Sequence, residues 1–65
     1  MNNVLNTIPK IQAGAEVRIN ANAGEAWVGK RGVIATEINA RRFGVILNGE
    51  KTETDFSPAE MTVLG

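Results

Sequence analysis

The clearest pattern in the chain is strict alternation at Glu16–Asn20, where Val17 and Ile19 share one face while Glu16, Arg18 and Asn20 share the other. That period of two predicts a half-buried β-strand, opened by Gly14. Residues 20–26, NANAGEA, are small residues and turn-formers, which predicts a loop that ends at Trp27. Lys30–Ile38 carries β-branched Val33, Ile34, Thr36 and Ile38 and predicts a second strand. Asn39-Ala40 is expected to make a tight connection to a third strand, Arg41–Leu47. Asn48-Gly49 is a strong hairpin signal, because both residues tolerate the positive φ of a type I′ turn. A fourth strand is expected at Lys51–Phe56, with Thr52, Thr54 and Phe56 opposed to Lys51, Glu53 and Asp55. Ser57-Pro58-Ala59-Glu60 predicts one helical turn, with Ser as N-cap, Pro first in the turn and Glu after it. Met61–Leu64 then forms a short fifth strand.

Two segments break the alternation. Phe43-Gly44-Val45-Ile46-Leu47 is apolar throughout, and Gly32-Val33-Ile34-Ala35 nearly so. Such runs mark strands covered on both faces. A small sheet with no helices covers only its inner face, so Val33, Ala35 and Ile46 need a neighbour. Either the N-terminal arm or another copy of the chain can supply it. Self-association is favoured, because a contiguous apolar patch is unusual on a soluble monomer.

Residues 1–12 read as a flexible arm. Val4, Leu5, Ile8 and Ile11 would share a helix face, but Pro9 ends a helix there, and three asparagines in the first six residues disfavour one. Residues 13–65 read as one domain. With 65 residues in all, the chain has room for no second one. A domain this small buries about 60% of its unfolded surface, so regular packing or assembly must sustain it. Cysteine and histidine are both absent, which excludes disulfides and the usual zinc ligands; no metal and no cofactor is expected.

The formal net charge is zero, but its distribution is uneven. Residues 1–49 hold Lys10, Arg18, Lys30, Arg31, Arg41 and Arg42 against Glu16, Glu25 and Glu37. Residues 50–65 hold Glu50, Glu53, Asp55 and Glu60 against Lys51. A duplex-DNA binder would show a basic excess, so DNA is not the expected partner. No apolar run approaches the roughly 20 residues of a membrane span and no signal peptide is evident, which gives a cytoplasmic protein with no membrane partner as the expectation.

Taken together, five short strands, tight turns and one late helical turn predict an all-β barrel. The residues resemble the SH3-like barrels that include the KOW motif. The resemblance runs from Gly14 to Leu64 and rests on Gly14-x-x-Val17-x-Ile19, Gly29-Lys30-x-Gly32-x-Ile34, Val45-x-Leu47, Phe56 and Glu60-Met61-x-x-Leu64. It implies a fold, a five-stranded SH3-like barrel with a helical turn before the last strand, and no single function. Gly24-Glu25-Ala26-Trp27-Val28-Gly29 is in addition similar to a segment of the plasmid-borne, trimethoprim-insensitive dihydrofolate reductases. Those are tetramers of SH3-like barrels whose central pore binds NADPH and substrate through a V-Q-I-Y run. Here that run corresponds to Glu53-Thr54-Asp55-Phe56, and four Asp55 carboxylates in one pore would repel the anionic cofactor and substrate. The resemblance implies the fold and the assembly rather than the activity.

Few residues offer chemistry. Ser57 is the only serine, has no His or Cys to activate it, and reads as a cap. Glu53 and Asp55 share a strand face and read as a charged edge that discourages pairing with other chains. For a protein or RNA partner the candidates are Trp27, Lys30, Arg31, Arg41 and Arg42. Trp27 either caps the open end of the barrel or offers a stacking anchor. Lys30-Arg31 and Arg41-Arg42 begin two neighbouring strands, which places them at opposite ends of an antiparallel pair. The reading that follows is a non-catalytic binding module that self-associates and docks on a protein or ribonucleoprotein. A degenerate relative of the NADPH-dependent barrel-type dihydrofolate reductases and a KOW-type RNA binder are the alternatives.

Overall fold

The computed structural model describes residues 11–65, so the proposed arm at 1–12 lies outside it except for Ile11 and Gln12. Five strands follow one another: β1 (Glu16–Ile19), β2 (Arg31–Asn39), β3 (Arg42–Leu47), β4 (Glu53–Phe56) and β5 (Met61–Val63). They form one antiparallel sheet in the order β4-β3-β2-β1-β5. Short 3-10 turns occupy Ala21–Ala23 and Pro58–Glu60. The protein is all-β, as its alternation predicts.

Alternation decides what the sheet buries. Val17 and Ile19 are fully buried while Glu16 and Arg18 are exposed. Ile34 from β2, Phe43, Val45 and Leu47 from β3, Phe56 from β4 and Met61 from β5 complete the core with Ala15. No polar or charged side chain is buried among the described residues. Ile11 and Trp27 pack against this cluster from outside the strands.

The sheet must curl. Five flat strands would separate β4 from β5 by about 19 Å. Yet only Ser57–Glu60 joins Phe56 to Met61, and most of that link is a compact 3-10 turn. Two irregularities in β2 assist the bend, where the register against β3 slips between Ile34 and Thr36 and again between Glu37 and Asn39. Each inserts one residue, Ala35 and Ile38, and such bulges raise local twist. Hydrogen-bonded pairing ends at β4 and β5, so the sheet is not closed into a barrel.

The hairpin after β3 differs from the type I′ expectation. A two-residue turn at Asn48-Gly49 would set Leu47 against Glu50 and carry Phe56 past Phe43 to the level of Arg41. Instead the N–H of Glu50 donates to the carbonyl of Leu47 at 2.9 Å, Lys51 and Thr52 add a bend, and β4 starts at Glu53. The resulting register sets Phe56 against Phe43 and Thr54 against Val45. The slip is two residues, so the inward face stays the same, but only this register brings Phe56 into the core. Burying one Phe contributes about 2–3 kcal/mol, more than an ideal turn does. The connection from β2 to β3 is tight as expected, one residue later, at Ala40-Arg41, where the Asn39 side chain accepts the N–H of Arg41 at 2.8 Å.

Candidate interaction surface

Sheet register turns the outward residues into rows. Arg18 stands opposite Arg31, and Thr62 stands on the other side of Arg18. In the next row Glu16 opposes Val33, Val33 opposes Ile46, and Ile46 opposes Glu53. Leu64 joins this row beyond Glu16, its N–H donating to the Glu16 carbonyl at 2.7 Å. A third row holds Thr36, Gly44 and Asp55.

Each row has a distinct character. Val33 is 42% exposed, Ile46 36% and Leu64 37%, so the middle row is apolar and open to solvent in the single chain. Ala35, the bulged residue next to it, is exposed as well. Glu16 interrupts the row and Glu53 ends it. The Glu53 side chain folds back over Gly44 and accepts the Thr36 hydroxyl at 2.9 Å. Both Glu53 and Asp55 are exposed on β4, which is an edge strand. The Arg18–Arg31 pair gathers two cations at the opposite corner of the face. Arg18, Leu64 and Glu16 were not among the sequence candidates. Alternation alone sends them outward, but only the register shows what lies beside them.

The four basic candidates do not form one patch. Lys30 and Arg31 precede and open β2, whereas Arg41 and Arg42 lie at the turn beyond its far end. Nine extended residues separate the two pairs by about 26 Å. All four are exposed.

Trp27 sits in the turn between β1 and β2, half-buried, with its ring edge-to-face on Phe56 (centroids 5.6 Å apart, planes at 82°). It covers the end of the core near the 3-10 turn of Pro58–Glu60 rather than standing free. The segment that the reductase resemblance assigns to cofactor and substrate is divided. Glu53 and Asp55 point outward, Thr54 is half-buried against Val45, and Phe56 is sealed beneath Trp27.

A polar clamp holds this end together. The amides of Asn20 and Asn22 both donate to the carbonyl of Ala59 at 2.9 Å, and the Asn20 side-chain oxygen accepts the N–H of Asn22 at 2.9 Å. Across the clamp the Glu60 carboxylate accepts the N–H of Ser57 at 2.8 Å, which fixes the turn that Ser57 and Pro58 begin. Asn20→Ala removes a cap and a tie over 39 residues of sequence at once. It is expected to cost about 1–2 kcal/mol in urea unfolding, against a few tenths for the exposed control Gln12→Ala.

Among the described residues no helix is long and apolar enough to cross a membrane, and no three His, Cys, Asp or Glu side chains gather as metal ligands. Comparison with protein-family models, with curated proteins and with solved structures finds no match.

Proposed function

We propose that the chain is an SH3-like binding module that works as a self-associated assembly, its curled sheet serving as a scaffold and its outer face as the contact. The observation that carries this reading is the exposed pair Val33–Ile46, set opposite each other on the two longest strands, at the middle of the sheet. Open apolar surface at that place, in a domain with so small a core, is best accounted for by a protein neighbour. SH3-like topology is supported by the strand order, by the bulges in β2, and by the 3-10 turn that brings the two edge strands together. A binding role is preferred to a reductase role because Phe56 is occupied in the core and the outward side chains of β4 are acidic. It is preferred to RNA binding because the basic pairs lie at opposite ends of β2.

Light scattering of the full chain at high micromolar concentration is expected to give a multiple of the 7.0 kDa monomer mass. Val33→Lys with Ile46→Thr is expected to yield a folded monomer, since the new lysine faces Glu16 across the strands and the threonine keeps a β-branched side chain there. A wild-type protein that stays monomeric overturns the proposal.

A further inference from the structure

The outer face carries opposite charge at opposite corners, with the apolar pair between them. Arg18 and Arg31 face each other across β1 and β2, where opposed side chains stand about 5 Å apart and like charges repel. Glu16 stands in the next row, opposite Val33. Diagonally across the sheet, Glu53 and Asp55 concentrate negative charge on β4. The face thus sets two cations together at one corner and two anions together at the other, all four exposed. A neighbour of complementary pattern answers both corners together.

We infer that this neighbour is a second copy, bound face to face about a two-fold axis that sets Arg18 and Arg31 of each copy over Asp55 and Glu53 of the other. The placement follows from the register. Strands lie about 4.8 Å apart, and alternate residues about 6.7 Å along each strand. Measured from the midpoint of Val33 and Ile46, Arg18 is offset by one and a half strands and one row. Asp55 is offset by the same amounts in the opposite sense. A two-fold lying in the face, through that midpoint and perpendicular to the Arg18–Asp55 line, exchanges the two positions. The same operation carries Arg31 onto Glu53 and lays Val33 beside Ile46. The strands of the two copies then cross at nearly a right angle, one of the two common ways that sheets pack. An isologous contact needs a self-complementary surface, and this arrangement meets that need with one surface.

This inference rests on the proposed self-association and adds its geometry, so the experiment separates the two. One variant carries Arg18→Glu and Arg31→Glu; a second carries Glu53→Lys and Asp55→Lys. All four positions are exposed, and circular dichroism verifies the fold of each variant. Alone, each variant sets like charge against like charge and is expected to associate at least about tenfold more weakly than wild type by sedimentation. Mixed in equal amounts, the two are expected to recover a heterodimer containing one of each. Wild-type association is expected to weaken as NaCl rises from 50 to 500 mM, roughly the range over which screening becomes short. Variants that each self-associate as wild type does, together with salt-insensitive wild-type assembly, overturn the two-fold but leave self-association standing. A monomeric wild type overturns both, and would make residues 1–10 or a different protein the cover of the face.

Discussion

Phe56→Ala is expected to remove a large part of the protein's stability and lower its melting temperature by more than about 10 °C, which circular dichroism and the fluorescence of its only tryptophan would show directly. The size of the effect follows from scale. A domain of 65 residues has a total stability of about 3–10 kcal/mol. Truncating a buried Phe to Ala costs about 3–5 kcal/mol through lost transfer energy and the cavity left behind. Phe56 is 2% exposed, and its loss also takes away the ring on which Trp27 rests. It is furthermore the residue whose burial selects the β3–β4 register. Without it the shorter type I′ hairpin at Asn48-Gly49 faces less opposition, so the damage spreads to strand pairing. Phe56→Leu keeps most of the volume and is expected to remain folded, losing about 1 kcal/mol of aromatic contact along with some packing. A Phe56→Ala protein that melts cooperatively near the wild-type temperature would show that β4 does not help seal the core.

What the sequence reveals depends on whether a feature is local. The alternation at Glu16–Ile19 names the buried face of β1 because a strand has only two faces and both are written in adjacent residues. The inward set of β4 is legible for the same reason, and it survives the slip in the hairpin, since a displacement of two residues preserves parity. The slip itself is not legible. It comes from a contact between Phe43 and Phe56, thirteen positions apart, prevailing over the local preference of Asn48-Gly49. The turn before the third strand moves from Asn39-Ala40 to Ala40-Arg41, where Asn39 stays paired with Arg42 and its side chain holds the N–H of Arg41. Rows of side chains across the sheet are the least legible feature of all. Arg18 meets Arg31, and Val33 meets Ile46, only after three strands have found their register. The candidate surface is therefore half-written in the sequence: Val33, Ala35 and Ile46 announce themselves by breaking the alternation, while the charges that border them do not. The Asn20 and Asn22 amides, joined to Ala59 over the whole length of the fold, carry no local signal beyond their preference for turns.

The two glycines on the central hairpin are expected to respond very differently to the same substitution. Gly32 and Gly44 are both buried, and both lie on strands that pair with each other. At Gly32, an added Cβ would meet backbone, namely the Ile46 carbonyl oxygen and the Leu47 Cα at 2.8 Å. Backbone in the middle of a sheet moves only if the ladder moves with it. β2 is held by β1 on one side and β3 on the other, so Gly32→Ala must spread the sheet or break the pairs at Val17 and Leu47. The expected cost is about 3 kcal/mol or more, near the upper range for overpacking and a large share of the stability of so small a domain. At Gly44, the atoms in the way belong to the Glu53 side chain, which is exposed and flexible. Gly44→Ala displaces that carboxylate and forfeits its bond from Thr36, a loss of about 1 kcal/mol, which the gain from replacing a strand glycine partly offsets. The net change in a urea midpoint is expected to be small. Comparing the two variants tests the geometry of the sheet more sharply than either does alone, because the residue change is identical and only the surrounding atoms differ. Equal destabilisation at the two sites would mean that β2 and β3 do not approach each other as closely at Gly32 as the register requires.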